Sequence, residues 1–421
     1  MGSSPFTRTS LKPIIDANGA KPLADSDYEH FDLVKMLFFC IDVFGSKRIF
    51  RLGDKMDLKK KVLVIGNGFD LAHGLLSSYN DFFVVISEWT NFEKAFFETL
   101  KNKDKDSKYK KYFNEIESID IEKIKKLGQI IRKNSWISYY VQCGAELKGW
   151  IDFEKEMIPV ITLFDKVLSL DMPTAGHGGD TAECLIPKEV MSPSLKRIAR
   201  LWRNYFSISS DQFSVVSKYG SHRHGLLKEN LIEDLRKEFA EFIVALEIYI
   251  QEFVEKNFLD IKLKQIEEIN ADLVISFNYT ETELRYTTIR PEAVYHIHGK
   301  VSEIPNSMVV GVNELVNDFD NTFIYFVKYF QRIQKHSSIA YKKEIGEEIE
   351  LYVYGHSLDV TDKDILEYLF DKSQKITIFF YNQVDYEKKI LNLISNFGRE
   401  KLEENMENGR LLFVITDNTP V

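Results

Sequence analysis

Four short stretches carry residues whose types and spacing can do chemistry. In GNGFD (66–70), Gly66 and Gly68 follow directly on the apolar run KVLVIG (61–66). Glycine there lets the backbone turn sharply and approach a ligand, and a helix starting at that point would offer free N–H groups to an anion. The spacing is not Gly-x-Gly-x-x-Gly, so the dinucleotide fingerprint is absent. A tight corner with no ligand explains two glycines at least as well. Asp70 stands where the helix should begin and can cap it or accept a hydrogen bond from a ribose hydroxyl. In SFNYT (276–280), Asn278 has donors and an acceptor for a ribose hydroxyl or a water; the plainer reading is a loop asparagine satisfying its own backbone.

In HIHG (296–299), period-two alternation puts His296 and His298 on one strand face. Either is a candidate general base near neutral pH. The pair is also half of a metal site, but no further ligands with metal-like spacing are evident. In YGHSLDVTDKDIL (354–366), Gly355-His356-Ser357 has the look of a nucleophile elbow, but Asp359 stands where the second glycine belongs and no histidine follows Ser357. The other reading is a nucleotide contact, with Gly355 for close approach and Ser357 for a hydroxyl bond, ahead of a helix capped by Thr361 or Asp362. A fifth stretch, GWIDFEKE (149–156), carries Asp152 and Glu154, which can reach over a cleft or simply be solvated.

These residues need elements to position them. KVLVIG reads as a strand buried on both faces, as in parallel sheets. After residue 270 similar runs return: ADLVISF (271–277), AVYHIHG (293–299), SMVVG (307–311), IELYVYG (349–355), KITIFFY (375–381) and RLLFVIT (410–416). Helical stretches between them predict an α/β fold, a Rossmann-like, mostly parallel sheet with helices on both faces. Four of the chemical motifs each follow a predicted strand, and in open α/β sheets the carboxyl ends of strands form the edge where ligands bind.

Between the first strand and the rest, residues 88–270 predict a large helical insertion. Within 229–258, Leu231, Leu235, Phe239, Phe242, Leu246, Tyr249 and Phe253 recur at three- and four-residue steps and so share a helix face. Residues 171–182 and the polar 207–225 read as loops. The expected domains are therefore 58–87 with 271–421 for nucleotide binding, 88–270 for the insertion, and 1–57 as an N-terminal extension. That extension is low in periodicity and expected to be disordered or an upstream tag, with Met56 reading as a natural start.

The 421 residues carry a net charge of −9, with 44% hydrophobic and 28% charged residues. An acidic balance makes nucleic acid an unlikely partner. The three cysteines, Cys40, Cys143 and Cys184, form no Cys-x-x-Cys pair and point to no zinc ribbon or disulfide framework, which fits a reducing, cytoplasmic setting. LVKMLFFCIDVF (33–44) contains Lys35 and Asp42 and is too short to span a membrane.

LVIGNGFDLAHGLLSSYNDF, WIDFE, ISFNYTETE, HIHGK and YGHSLDVTDKDIL, in this order, resemble the bacteriophage abortive infection AbiH family. More distantly the chain is similar to the sirtuin-like NAD-binding fold. There a Gly-Ala-Gly-[Ile]-Ser loop after the first strand holds the NAD diphosphate, and Gly66-Asn67-Gly68-Phe69-Asp70 occupies its place. Asp81-Phe82, Asn278-Tyr279, His298-Gly299 and Gly355-His356-Ser357-Leu358 match further sirtuin motifs, whereas Thr280 replaces an aspartate and the zinc module of the deacylases is missing.

The resemblance implies an antiphage protein that hydrolyses NAD to nicotinamide and ADP-ribose, with no metal. It implies catalytic roles for Asn278 and His298, and nucleotide contacts at Gly66, Asn67, Gly68, Phe69, Asp70, His73, Gly355, His356 and Ser357. A homo-oligomer and a phage-derived trigger are the partners it suggests. A nucleotide sensor without catalysis and a metal-dependent phosphohydrolase using the HIHG histidines stay open beside it.

Overall fold

Val62, Leu63, Val64 and Ile65 are all buried, and they alternate between two cores. Val62 and Val64 pack with Leu273, Ile275, Leu351 and Val353 on one face of a sheet. Leu63 and Ile65 pack with Phe69, Val274 and Tyr354 on the other. A strand with apolar side chains pointing both ways has to lie between two layers. In the computed structural model the described residues are 59–101, 108–144, 150–170, 184–209, 212–221, 225–257, 259, 261–301, 307–312, 321–335 and 340–417. The expected N-terminal extension 1–57 and the loop 171–182 lie outside them.

Six strands form the central sheet: β1 (Lys60–Ile65), β2 (Leu273–Ser276), β3 (Val294–His296), β4 (Ile349–Tyr354), β5 (Ser373–Phe380) and β6 (Leu411–Ile415). Their spatial order is β3-β2-β1-β4-β5-β6 and every neighbouring pair is parallel. This 3-2-1-4-5-6 order reverses direction at β1, so the crevice between β1 and β4 is the topological switch point of a doubly wound sheet.

The helices that bear on the site are α1 (Asn67–Ala72), α2 (Trp150–Lys155), α3 (Lys228–Tyr249), α4 (Lys328–Gln334), α5 (Lys363–Lys372) and α6 (Gln383–Phe397). All seven residues of the apolar stripe predicted along 229–258 are buried. They join an aromatic-rich core built largely from the insertion, in which Phe153 stacks on Tyr140 at 3.8 Å between ring centroids. At its C-terminal end α3 widens into a π-helical turn, Ile250–Glu255. Residues 58–421 form one compact unit.

Two expectations fail. SMVVG (307–311) is not a strand. Met308, Val309 and Val310 are buried, as strand residues would be, but their backbone bonds go elsewhere. The Met308 N–H reaches the Glu247 carboxylate, Val309 N–H donates to His298 O at 2.7 Å, and the Gln331 amide takes both polar groups of Val310. Side chains thus replace a ladder partner. The polar 207–225 is not all loop, because the insertion contains a small antiparallel sheet of Cys184–Ile186, Phe206–Ser209 and Gln212–Val215. The apolar residues of its last two strands that are buried, Phe206, Phe213 and Val215, alternate with Ser207 and Ser214, so the composition stays polar.

Gly355 has a φ of +68°, and a Cβ there would stand 2.1 Å from the Phe69 nitrogen. Gly355→Ala is therefore expected to cost about 2 kcal/mol or more in urea unfolding. Gly346→Ala, where a Cβ meets nothing within 4 Å, should change stability by less than about 0.5 kcal/mol.

Candidate functional site

Register brings the motifs together. Ile65 pairs with Ser276 on one side and Tyr354 on the other, and Ser276 pairs with His296. The residues that follow, Gly66, Phe277-Asn278, Ile297-His298 and Gly355, therefore leave the sheet along one rim. Above that rim is a cavity of about 1000 Å³. Gly66, Asn67, Gly68, Asp70, Asn278, His298, Gly355, His356 and Ser357 all line it. Phe69 and His73 do not. Phe69 is in the core, and His73 donates from Nδ1 to Phe69 O at 2.7 Å while its Nε2 meets the Tyr286 hydroxyl at 2.6 Å.

The glycines are occupied with one another. Gly68 N–H donates to Gly355 O at 2.8 Å, Gly66 N–H to Tyr354 O at 3.2 Å, and Phe69 N–H to Gly66 O at 2.8 Å. A Cβ on Gly68 would sit 2.7 Å from Gly355 Cα. Two of the expected N–H groups, on Gly66 and Gly68, are thus spent on joining the β1 and β4 loops, and that of Phe69 turns back on its own loop. What the cavity presents is mainly side chains.

Asp70 neither caps α1 nor faces solvent. Its Oδ1 accepts from Asn278 Nδ2 at 3.1 Å and its Oδ2 from Thr280 Oγ1 at 2.7 Å. Asn278 Nδ2 also donates to Gly66 O at 3.1 Å, so both amide protons are used and its Oδ1 is left as an acceptor. Burial pushes Asp70 up to about 6, against the bonds from Thr280 and Thr282.

His298 and His356 meet one carboxylate. His298 Nε2 is 3.1 Å from Asp362 Oδ1, and His356 Nε2 is 3.4 Å from Asp362 Oδ2. His356 Nδ1 accepts from Leu358 N–H at 2.9 Å, which puts its proton on Nε2, facing Asp362. Leu358 reaches back with a left-handed φ of +58°. Burial and the Lys328 ammonium push His298 down to about 4, so its imidazole is neutral at pH 7. With Nε2–H directed at Asp362, the lone pair is on Nδ1. Burial disfavours the Asp362 charge, but Lys328 and the two histidines hold its carboxyl well below the ordinary range. Asp362 stands at the start of α5 but makes no capping bond; Asp359 accepts from Thr361 N–H instead and leaves Asp362 to the histidines.

His296 turns to a different acid. Its Nε2 is 3.1 Å from Glu283 and its Nδ1 donates to Asn278 O at 3.1 Å. β3 stops at His296, so the alternation expected to align the two histidines ends between them. Among the described residues no three His, Cys, Asp or Glu side chains are grouped as a metal site.

The insertion supplies the roof. Leu246, Tyr249 and Ile250 line the cavity from α3 and its π-helical turn, and Glu154 and Lys155 from α2. Glu154 pairs with Lys328 at 2.8 Å, both buried, and Lys155 with Asp359 at 3.8 Å. The Asp152 side chain lies outside the described residues. At the far end stand Tyr381, Val384 and Lys388, all exposed.

Asp362 was legible in YGHSLDVTDKDIL only as a helix cap. Thr280 was visible only as a departure from the sirtuin pattern. Nothing in the sequence marks Lys328, one of many lysines on helices.

The family description Bacteriophage abortive infection AbiH matches residues 62–382, a span that holds every rim loop named above. The chain belongs to the AbiH family. Its role accordingly lies in abortive infection, a defence against phage. No curated protein and no solved structure matches the chain. Among the described residues of this AbiH protein no helix is long and apolar enough to cross a membrane.

The folded AbiH protein keeps a proton on Asp70 that the unfolded chain releases near pH 4. The Asp70 contribution to stability therefore falls as pH rises from about 4 to about 6. Burial lowers His298 and His73 to about 4, and their contributions rise with pH from about 4 to about 6.5, the opposite sign. Asp70→Asn keeps an acceptor for Asn278 and can donate to Thr280 Oγ1. Relative to the parent protein it should gain about 1–3 kcal/mol between pH about 4 and about 6.5 in urea unfolding. A difference that stays constant across that range rules out the protonated Asp70.

Proposed function

We propose that this AbiH protein hydrolyses NAD to nicotinamide and ADP-ribose at the β1–β4 crevice, and that loss of NAD is how it halts an infected cell. The observation that carries the reading is the His298–Asp362 pair, buried at 3.1 Å in the wall of a cavity that occupies the switch point of a doubly wound sheet. That crevice is where such sheets bind dinucleotides. The volume, about 1000 Å³, is at the upper end of the ordinary range for small-molecule sites. The likeness of the Asn278-Tyr279 and His298-Gly299 stretches to the sirtuin-like pattern supports the same substrate.

The reaction needs little from the protein beyond placement and a base. Nicotinamide in NAD carries a positive charge, so the ring nitrogen leaves as a neutral group when it takes the electron pair of its bond to ribose. The ribose carbon then passes through an oxocarbenium-like state. Water supplies the new carbon–oxygen bond, and its proton goes to His298 Nδ1, the nitrogen on which the Asp362 contact leaves the lone pair. Asn278 Oδ1, the one acceptor its other bonds leave over, orients that water or a ribose hydroxyl. Asp362 stabilises the imidazolium as it forms. The net change is NAD and water to nicotinamide, ADP-ribose and a proton.

Purified protein, with and without extract of phage-infected cells, is to be incubated with NAD and assayed for nicotinamide. His298→Ala should lower kcat on the order of 10²–10⁴-fold, and Asp362→Asn should fall in the same direction. Release undiminished by His298→Ala would remove the assigned base. The absence of release under either condition would remove the reaction itself.

A further inference from the structure

Two imidazole N–H groups and one ammonium compete for the two oxygens of Asp362. His298 and His356 occupy those oxygens at 3.1 and 3.4 Å. Lys328 is also close enough to be the leading favourable charge on Asp362, yet its ammonium is bound elsewhere, to Glu154 at 2.8 Å. A primary ammonium on a flexible stem would outcompete a neutral imidazole for a carboxylate if nothing restrained it. Glu154 comes from α2, on the insertion, whereas Lys328 opens α4 and Asp362 opens α5. The insertion and the sheet are therefore linked through charge at the reacting group.

We propose that Glu154 and Lys328 are positioning residues for the His298–Asp362 pair: the Glu154 carboxylate holds the Lys328 ammonium and so reserves Asp362 for His298. The assignment deepens the reading of His298 as the base and rests on it for its catalytic meaning, but the arrangement itself can be observed without NAD. The groups facing His298 are Asp362, Lys328, Arg332 and the rings of Phe277 and Tyr279. Arg332 is engaged with Asp364 at 3.0 Å, which leaves Lys328 as the mobile cation. Burial alone would lower Lys328, but Glu154 and Asp362 keep it charged, so it stays a competitor over the physiological range.

The test is proton and nitrogen NMR of the imidazole N–H groups in the full chain near neutral pH, with the His298 signal assigned by His298→Gln. In the parent protein a slowly exchanging, downfield Nε2–H signal is expected, as for an imidazole donating to a buried carboxylate. Glu154→Gln should lose it as Lys328 moves onto Asp362. Glu154→Asp should retain it, and Glu154→Gln with Lys328→Met should restore it, because the competitor is gone. A signal unchanged in Glu154→Gln overturns the proposal. So does a signal absent from both Glu154→Gln and the double variant, which would make Glu154 merely structural. If Glu154→Gln alone does not fold, a folded double variant with the signal in place still supports the proposal, and one without it overturns it. Because no outcome involves NAD, failure here and failure of NAD hydrolysis are separate results.

Discussion

The contact on which the molecule depends is between two stretches of backbone, Gly66–Gly68 after β1 and Gly355 after β4. They meet where the strand order reverses, with Gly68 N–H on Gly355 O at 2.8 Å and no room for a Cβ on either glycine. At a switch point the two neighbouring loops normally part toward opposite faces of the sheet and leave a crevice. Here they touch before they part. The touch sets how close Asp70 and Asn278, on one side, come to His356 and Asp362 on the other. It also consumes the Gly66 and Gly68 N–H groups, two of those that a bare strand–turn–helix would have turned toward an anion. Chemistry in this crevice is left to side chains.

Those side chains are charged or titratable and nearly all buried, which is costly unless each is answered. Asp70 is answered by Asn278 and Thr280, Glu154 by Lys328, and Asp362 by two histidines. Replacing these groups with apolar residues of similar size would give a simpler core. Retaining them produces a neutral imidazole with one nitrogen tied to a carboxylate and a lone pair on the other. Buried groups with shifted pKa values of this kind cluster at functional sites, and the pattern supports the proposed one.

The insertion is more than an appendage to the sheet. Its aromatic core has Phe153, Tyr140 and Phe242 in mutual contact and takes in Met308, Val310 and Phe326 from beyond the insertion. The helix that bears Phe153 also bears Glu154, so one turn of α2 is anchored in that core by one residue and reaches into the cavity with the next. Glu154 in turn holds Lys328, whose charge bears on Asp362.

By itself the sequence determined the strands of the central sheet and their burial, because runs such as KVLVIG and KITIFFY carry apolar side chains in both directions and can only sit between two layers. It also determined the rim loops, because glycine, asparagine and histidine at strand ends break an otherwise apolar pattern. It did not determine that SMVVG lacks a ladder partner, since its bonds go to Glu247 and Gln331 from distant helices. Nor did it determine the partners of the rim residues. Gly66 and Gly355 lie 289 positions apart in the chain, and Lys328 and Glu154 lie 174 apart. Strand identity is a property of a few consecutive residues, whereas which carboxylate answers which cation depends on distances that exist only once the sheet, the insertion and α4 have packed.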